Sequence, residues 1–310
     1  MAFEYDVVIV GSGPAGLTAG SRLSRAGHRT LVLEKELFGG NLQHAGQIAD
    51  FPEYPDGVAG ADLAGRMIDQ ATSSGITLEQ ADVSGIELFS RSRWVACSDG
   101  RGFSCGLVIL AGGTHYTRLG LPNEEKFRGR GVVDCTPCDG GFFVDRDVVV
   151  YGSIDYAVRD ALYLTDLGGR VTLLVPDADV RASPPLKERL RTTAAVQVHR
   201  RARLAAILGT DRVEGVRYAD QATGAEEQLA AHGLLVRVGM QPSTEPFADL
   251  VDLDGDGYVV ANNQLESSAR WVLACGDIRS GATSSVAAAV ADGAQAAARA
   301  VELLATLESG

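Results

Sequence analysis

The sequence predicts an α/β protein that contains two copies of a β-α-β unit. The first copy opens the chain, with an apolar strand over residues 5–10, a helix over 14–26 and a second strand over 30–33. The same pattern returns over residues 148–175. Each copy is followed by a predicted antiparallel meander and one more buried strand, which indicates two similar modules.

The other predicted elements follow in chain order. After the first unit we expect a loop over residues 41–58, an amphipathic helix over 61–74, antiparallel strands over 83–90, 94–97 and 102–105, and a buried strand over 107–111. After the second unit we expect strands over 203–209, 212–217, 227–231, 233–238 and 271–274, and an alanine-rich helix over 284–307.

The composition is that of a soluble globular protein, with 45% hydrophobic and 22% charged residues among 310. The apolar runs are strand-sized, the N-terminus shows no signal-peptide pattern, and five cysteines make no disulfide framework. We therefore expect a cytoplasmic protein without a membrane span. The net charge of -12 argues against a nucleic-acid partner. The basic segment at 181–203 is most simply the solvated face of a helix and a strand.

A glycine-rich turn joins the first strand to the first helix. In "VVIVGSGPAGLTAG", Gly11 makes the tight turn, Gly13 lets backbone N–H groups reach a pyrophosphate, and Gly16 lets the helix pack closely on the sheet. The positive end of the helix then faces the phosphates. Glu34 ends the second strand, where a carboxylate accepts hydrogen bonds from ribose hydroxyls. The combination predicts a dinucleotide site without separating FAD from NAD.

A second segment favours FAD. "WVLACGDIR" over residues 271–279 is a strand that ends in Gly276 and Asp277 and precedes a long helix of small residues. It resembles the segment by which two-dinucleotide flavoproteins hold the ribityl chain, with the aspartate as acceptor; a simple helix N-cap is the alternative. We therefore expect a discontinuous FAD-binding domain over residues 1–113 and 243–310, with residues 114–242 inserted in it.

The segment "CTPCDGGFF" places Cys135 and Cys138 in a C-x-x-C spacing, which suits half of a zinc site or a redox pair. Zinc needs two more ligands, and the remaining cysteines follow no ligand pattern, so no metal site is expected. A redox pair is favoured over an inert buried pair. Asp139 is a candidate proton carrier, because thiol–disulfide exchange needs an acid to protonate the leaving sulfur. We expect the remaining cysteines to be small buried apolar residues: Cys97, Cys105 and Cys275.

From Tyr5 to Leu304 the chain resembles the low-molecular-weight thioredoxin reductases. The shared motifs are GSGPAG at 11–16, GGNL at 39–42, CTPCDG at 135–140 and CGDI at 275–278. The segment "RLGLPNEEKFRGRGVVDC" at 118–135 is also similar to that family's approach to its redox pair. The resemblance covers nearly the whole chain, and its motifs are specific in combination.

The resemblance implies two Rossmann-like three-layer β/β/α nucleotide-binding domains, the second inserted in the first, and a homodimer. It implies that Cys138 faces the flavin, that Cys135 attacks the substrate disulfide, that Asp139 serves as acid or base, and that the domains rotate between two arrangements. We expect the FAD to be bound by residues of the first domain, namely Gly11, Ser12, Gly13, Pro14, Ala15, Gly16, Glu34, Lys35, Gly40, Asn41, Leu42, Asp50, Val83, Ala111, Gly112, Gly276, Asp277, Ser284 and Ser285.

The second domain departs from the family at its nucleotide turn. The family binds NADPH there through a glycine-rich turn and a His-Arg-Arg stretch. Here Ile154 stands in place of the glycine that admits the pyrophosphate, the His-Arg-Arg positions hold Val175, Pro176 and Asp177, and only Arg181 remains of the basic set. Changes at both ends of one ligand predict that NADPH is not an efficient electron donor, and Ile154 also obstructs NADH. In the first domain, residues 283–285 (Thr-Ser-Ser) replace the family's Tyr-Arg-Gln.

The sequence therefore predicts an FAD-dependent dithiol–disulfide oxidoreductase that exchanges electrons with a thioredoxin-like protein or a small-molecule disulfide or dithiol. The donor is then an electron-carrier protein such as a ferredoxin or flavodoxin, or another flavin; in the reverse direction, O₂ is the acceptor. Asp139 favours the reductase direction, and the basic segment at 181–203 offers a dock for an acidic carrier. Two alternatives remain, namely a divergent NADPH-dependent thioredoxin reductase and a non-catalytic flavoprotein redox sensor.

Overall fold

The computed structural model describes residues 3–308 and divides the chain into two compact units. Unit 1 contains the chain up to His115 and again from Gln241, and unit 2 contains Tyr116–Met240. Unit 2 thus interrupts unit 1 in sequence.

The described residues form strands and helices that are numbered here in chain order. The strands are β1 (Tyr5–Val10), β2 (Thr30–Glu34), β3 (Gln47–Ile48), β4 (Val58–Ala59), β5 (Thr77–Gln80), β6 (Val83–Leu88), β7 (Arg93–Cys97), β8 (Gly102–Leu110), β9 (Thr114–Tyr116), β10 (Asp147–Tyr151), β11 (Arg170–Val175), β12 (Val196–Arg200), β13 (Ala202–Leu208), β14 (Gly215–Asp220), β15 (Glu226–Ala230), β16 (Gly233–Val236), β17 (Met240–Pro242) and β18 (Val272–Ala274). The α-helices are α1 (Pro14–Arg25), α2 (Gly60–Thr72), α3 (Thr136–Asp139), α4 (Asp155–Asp166), α5 (Pro184–Thr192) and α6 (Val286–Glu308).

A mixed sheet forms the centre of unit 1. Its strand order is β5-β2-β1-β8-β7-β6, and β18 also pairs with β8. Strands β5, β2, β1, β8 and β18 are parallel, whereas β6 and β7 form an antiparallel meander with the first half of β8. Because parallel strands end at the same edge of a sheet, the turns after β1, β2, β8 and β18 lie at one edge, the carboxyl edge of unit 1.

Alternate side chains of the central strand β1 enter two separate cores of unit 1. Val7 and Ile9 belong to the core that α1 and α6 cover. Val8 belongs to a second core, which includes Val95 of β7 and Phe103 of β8. Unit 1 therefore has helices on one side of the parallel sheet and a meander on the other.

Unit 2 repeats this layering. Its parallel sheet has the order β12-β11-β10-β16, and β13, β14 and β15 form an antiparallel meander. Val148 and Val150 of β10 pack in a core with α4, whereas Val149 and Tyr151 pack in a core with the meander. The predicted fold class, two Rossmann-like β/β/α domains with one inserted in the other, is confirmed.

The structure corrects two expectations about the strands. Residues 102–105 and 107–111, which were expected to form two strands, form the single strand β8. Gly106 lies within this strand, where a Cβ would be 3.2 Å from the carbonyl oxygen of Asp6 in β1 and 3.3 and 3.4 Å from Leu304 and Leu307 of α6. Strand β5 was not predicted, because its residues are half-buried or exposed and show no clear alternation. The two- and three-residue strands β3 and β4, which interrupt the expected loop over 41–58, and β9 and β17 were not predicted either. Among residues 3–308, no helix has the length and apolarity that crossing a bilayer requires.

Candidate functional site

The turn after β1 has the geometry that a dinucleotide requires. Gly11 has φ +106°, and its amide donates to the carbonyl of Leu33 at 2.8 Å. A Cβ on Gly11 would collide with the backbone of Ala111, and one on Gly16 would collide with the carbonyl of Gly11. A Cβ on Gly13, the N-cap of α1, would meet nothing within 4 Å. The turn is therefore closely packed on its protein side and open in front of the helix N-terminus, where a phosphate can approach the backbone.

The carboxylate of Glu34 is fixed against this turn. Its Oε2 accepts hydrogen bonds from the amide of Ser12 at 2.9 Å and from Ser12 Oγ at 2.8 Å, and its Oε1 accepts from the amide of Glu36 at 3.0 Å. Ser12 Oγ in turn accepts from the amide of Gly39 at 3.1 Å. Each carboxylate oxygen keeps further lone pairs for an incoming hydroxyl, so Glu34 can hold a ribose beside the phosphate site.

The turn after β18 is anchored to α6 by an ion pair. Asp292 accepts from the amide of Gly276 at 3.0 Å and from Arg279 Nε and Nη2 at 2.6 and 2.9 Å. Asp277 points elsewhere and accepts from Ser284 Oγ at 2.8 Å. Burial raises the pKa of Asp277, although the hydrogen bond from Ser284 opposes the rise. The neighbouring Ser285 Oγ accepts from the amide of Ala288 at 3.2 Å and so caps the start of α6.

The remaining predicted cofactor residues all belong to unit 1, and most lie near its carboxyl edge. Gly40 and Leu42 are in a 3-10 helix over Gly40–His44, where Leu42 is buried. Asn41 Nδ2 donates to the carbonyl of Thr114 at 2.6 Å. Pro14 and Ala15 lie in the first turn of α1, and Ala111 and Gly112 directly follow β8. Val83 is buried at the start of β6. Lys35 is exposed, with its Nζ 3.4 Å from Asp82 Oδ2, and Asp50 is exposed in a loop.

Taken as donors and acceptors, the carboxyl edge of unit 1 fits a flavin dinucleotide. The turn at Gly13 leaves open space where a pyrophosphate would bind, Glu34 has lone pairs for a ribose hydroxyl, and the half-buried Asp277 lies on the turn that the sequence assigns to the ribityl chain. A hydroxyl donor stabilises the charged form of a half-buried carboxylate whose pKa is raised, because it replaces the hydration that burial removed.

Unit 2 carries the cysteine pair as a disulfide. Cys135 precedes the short helix α3 and is bonded to Cys138, with the two Cα atoms 5.3 Å apart. The amide of Cys138 donates to Cys135 Sγ at 3.1 Å. Cys135 is 5% exposed, whereas Cys138 is exposed. The pair is thus held at the start of a helix with one sulfur covered and the other residue open to solvent. The amide of Asp139, the predicted proton carrier, donates to the carbonyl of Cys135 at 3.1 Å.

The other cysteines are reduced and buried, as predicted, and all lie in unit 1: Cys97, Cys105 and Cys275. Burial raises the pKa of Cys105 and of Cys275 to about 12, so both remain thiols at neutral pH. Burial also raises the pKa of Cys97. Only the thiolate is a strong nucleophile, and these three cysteines are therefore poor candidates for disulfide exchange.

The turn after β10 in unit 2 repeats the backbone of the first turn. The amide of Gly152 donates to the carbonyl of Leu174 at 3.0 Å, as Gly11 does to Leu33. A Cβ on Gly152 would collide with the carbonyl of Arg237, as one on Gly11 would with Ala111. Ile154 is the N-cap of α4, the position that Gly13 has on α1. A branched side chain therefore stands where unit 1 leaves open space.

Two carboxylates surround this second turn. Ser153 Oγ donates to Asp177 Oδ2 at 2.5 Å, and Arg181 Nε lies 2.9 Å from the same oxygen. Asp155, in the first turn of α4, accepts from the amide of Ser183 at 2.7 Å. Arg181 is thus already paired, and the helix N-terminus already has a negative neighbour, which disfavours an anionic phosphate there.

Sequence reasoning missed three charged residues that support these sites. Asp292 fixes the Gly276 turn, Asp155 holds a loop in front of α4, and Arg237 is 1% exposed at the end of β16. The available signal for Arg237 was a single arginine inside the otherwise apolar segment "GLLVRVG" over residues 233–239. An isolated charge at the end of a buried strand indicates a buried partner.

Comparisons with known proteins agree with this geometry. Residues 5–293 match the family model described as pyridine nucleotide-disulphide oxidoreductase. A thioredoxin reductase of Treponema pallidum is 34% identical over 310 residues, which is 100% of each chain.

Solved structures extend the likeness to the fold. The crystal structure of Lactococcus lactis thioredoxin reductase has a TM-score of 0.87 at 31% identity, over 98% of this chain and 100% of that one. A ferredoxin-flavin thioredoxin reductase from Clostridium acetobutylicum has a TM-score of 0.53 at 26% identity, over 97% and 98% of the two chains. FAD is the cofactor expected of such proteins, and a flavin disulfide oxidoreductase is the enzyme class that they indicate. The chain therefore belongs to the low-molecular-weight thioredoxin reductase family.

Proposed function

We propose that this protein is an FAD-dependent dithiol–disulfide oxidoreductase of the thioredoxin reductase type that does not use NADPH efficiently. The observation that carries the proposal is the second nucleotide turn. Ile154 puts a branched side chain at the N-cap of α4, and Asp177 accepts a hydrogen bond from Ser153 Oγ and pairs with Arg181. A nucleotide with a 2′-phosphate would have to displace this ion pair and bring its pyrophosphate against a branched side chain.

The proposed FAD site is the carboxyl edge of unit 1. The glycine turn at residues 11–16 binds the pyrophosphate, Glu34 accepts from the ribose, and Asp277 accepts from the ribityl chain. The expected residues at 35, 40–42, 50, 83, 111–112 and 284–285 complete the site. When bound, FAD supplies a carrier of two electrons, and the fixed carboxylates of Glu34 and Asp277 orient it.

The proposed exchange uses the cysteine pair. Two electrons and two protons convert the Cys135–Cys138 disulfide into two thiols. The thiolate of Cys135 then attacks a substrate disulfide, which releases one substrate thiol and leaves a mixed disulfide. Cys138 attacks that bond, which releases the second thiol and restores the enzyme disulfide, and Asp139 supplies and accepts the proton. Because Cys135 is 5% exposed in this conformation, its attack requires a rearrangement that uncovers it.

The electrons are proposed to come from an electron-carrier protein or a second flavin. The likeness to the Clostridium acetobutylicum ferredoxin-flavin thioredoxin reductase supports this route. Arg189 and Arg191 at the end of α5 are exposed in unit 2 and give an acidic carrier a local contact, although both also pair with acidic neighbours. In the reverse direction, electrons flow from a dithiol substrate through the cysteine pair and FAD to O₂.

The proposed substrate is a thioredoxin-like protein, as the names of the relatives indicate. Phe142 follows the cysteine pair and is 74% exposed, and Val144, Tyr163 and Leu167 are exposed apolar side chains of the same unit. Exposed large apolar side chains in the unit that carries the disulfide provide the kind of contact that a protein substrate needs. We further propose a homodimer that acts in the cytoplasm.

The proposal is tested by anaerobic titration of the flavin absorbance of the purified holoenzyme. Four reagents are compared, namely NADPH, NADH, dithionite and dithiothreitol. We expect dithionite and dithiothreitol to bleach the flavin, and NADPH and NADH at micromolar concentrations to leave it oxidised on the time scale of turnover. Reoxidation by air after bleaching with dithiothreitol indicates the oxidase direction. Rapid bleaching by micromolar NADPH would instead identify a divergent NADPH-dependent thioredoxin reductase.

A further inference from the structure

A buried arginine of unit 2 contacts both sequence neighbours of Cys135. Arg237, directly after β16, is 1% exposed. Its Nε donates to Asp160 Oδ2 of α4 at 2.5 Å, and its Nη1 donates to the carbonyl of Val236 at 3.0 Å. A fully buried guanidinium is rare and requires a partner for its charge, which Asp160 provides.

The remaining donors of Arg237 reach the chain on both sides of Cys135. Nη2 donates to the carbonyl of Asp134 at 2.7 Å and lies 3.4 Å from Thr136 Oγ1. Residues 134 and 136 are the two neighbours of the first cysteine. The guanidinium also lies over the ring of Tyr116, 3.8 Å from its centroid. One rigid, planar side chain therefore holds the backbone that carries the disulfide.

The charge of Asp134 is balanced separately. Its carboxylate lies 3.0 Å from Arg118 Nη2 and 2.8 Å from Arg128 Nη2. Burial acts to raise the pKa of Asp134, but the two guanidinium groups hold this pKa below its usual value. Because Asp134 has its own cations, Asp160 is the one carboxylate that pairs with Arg237 among residues 3–308.

We propose that Arg237 is a positioning residue of the redox pair, and that the Arg237–Asp160 pair sets how readily the Cys135–Cys138 disulfide is reduced. The inference rests on the proposed role of that pair in disulfide exchange. Reduction takes up two electrons and two protons and creates thiols that ionise in part, whereas the disulfide is neutral. A nearby positive charge favours the thiolate and hence the reduced form, and a nearby negative charge favours the disulfide.

The test equilibrates the holoenzyme with dithiothreitol redox buffers under anaerobic conditions. The fraction of reduced cysteine pair is measured by alkylation and mass spectrometry, and the redox state of the flavin is measured by absorbance. Arg237→Met leaves Asp160 unbalanced, so we expect the equilibrium constant for reduction to fall about tenfold, which is about 30 mV for a two-electron couple. Asp160→Asn leaves Arg237 unbalanced, so the constant should rise severalfold. In the double variant Arg237→Met, Asp160→Asn the two effects should largely cancel. This variant leaves no buried carboxylate without a partner, so it keeps the test usable if Arg237→Met alone does not fold.

Arg170→Ala is the matched control, because Arg170 forms an exposed pair with Asp147 in the same unit at 2.8 Å. It should leave the equilibrium unchanged. Single variants that both remain within twofold of the wild type, or that shift in the same direction, would overturn the inference and leave Arg237 a structural residue. A wild-type pair that does not exchange with dithiothreitol at all would refute the proposed function, which is a different result.

Discussion

Ser153 Oγ donates to Asp177 Oδ2 at 2.5 Å in unit 2, as Ser12 Oγ donates to Glu34 Oε2 at 2.8 Å in unit 1. Both serines follow the first glycine of a β-α turn. The acids differ in position, because Glu34 is the residue directly after Leu33 whereas Asp177 lies three residues after Leu174. In unit 2 the same contact also includes Arg181, 2.9 Å from the carboxylate. The second turn therefore keeps the backbone and the serine–carboxylate contact of a nucleotide site, and it differs by the ion pair between Asp177 and Arg181.

Removing this internal pairing should restore some response to NADPH. The double variant Ile154→Gly, Asp177→Ala removes the branched side chain at the start of α4 and the carboxylate that pairs with Ser153 and Arg181. We expect flavin reduction by NADPH in stopped-flow absorbance to accelerate at least tenfold, which corresponds to about 1.4 kcal/mol. Asp166→Ala, at the far end of α4 and paired with Arg189 on the surface, is the control and should not change the rate. A double variant as slow as the wild type would show that the turn is not the barrier.

The ion pair behind the Gly276 turn should contribute strongly to the stability of unit 1. The side chains of Arg279 and Asp292 are 23% and 13% exposed, and Asp292→Ala leaves the guanidinium and the Gly276 amide without this acceptor. We expect a loss of about 3 kcal/mol in the free energy of unfolding, the low end of the range for removing one partner of a buried pair.

Urea unfolding followed by tryptophan fluorescence reports on this loss, because both tryptophans, Trp94 and Trp271, lie in unit 1. Glu302→Ala on the same helix removes an exposed partner of Arg299, whose pair at 2.7 Å should be worth less than about 0.5 kcal/mol. Equal effects from Asp292→Ala and Glu302→Ala would contradict the structural argument.

How far the sequence predicts this protein depends on whether a feature is local. The turn at Gly11 and the strand that ends at Glu34 follow from residues close in sequence, and the pattern of apolar residues predicts both β/β/α layers. The pairings of Asp155 with the Ser183 amide and of Arg237 with Asp160 join residues 28 and 77 positions apart, and no period or motif connects them. Such contacts depend on how the folded chain brings side chains that are distant in sequence close together.

The same limit applies to strand β8. Gly106 normally indicates a break in a strand, and only the packing of α6 shows why it is tolerated there. The position of Ile154 at the N-cap of α4 was predictable, since it follows from the place of this residue in the β-α turn. The engagement of Asp177 with Ser153 was not, because it depends on how the chain bends after β11.

Phe142 should govern recognition of a protein substrate. It is 74% exposed and follows Cys138 by four positions in the sequence, and exposed aromatic side chains are frequent anchors of protein interfaces. For Phe142→Ala we expect KM for oxidised thioredoxin to rise about tenfold, as for the loss of one interface anchor, with kcat nearly unchanged. A small aromatic disulfide should be reduced at the wild-type rate. Phe89→Ala, a 53% exposed phenylalanine of unit 1, is the control and should affect neither substrate.

The two cysteines should behave differently when each is replaced. In Cys138→Ser, the remaining Cys135 can attack a disulfide but the enzyme's resolving thiol is absent. A thioredoxin variant that keeps only its attacking cysteine, activated as a mixed disulfide with an aromatic thiol, has no second thiol either, so the enzyme–thioredoxin disulfide should persist. We expect reduced Cys138→Ser, mixed with this activated thioredoxin, to form a covalent complex visible on a non-reducing gel, and Cys135→Ser to form less than about a tenth as much. Exposure alone would predict the opposite result, because Cys135 is buried and Cys138 is the exposed residue in this conformation. A complex that forms mainly with Cys135→Ser would reverse the proposed roles and remove the need for a rearrangement that uncovers Cys135.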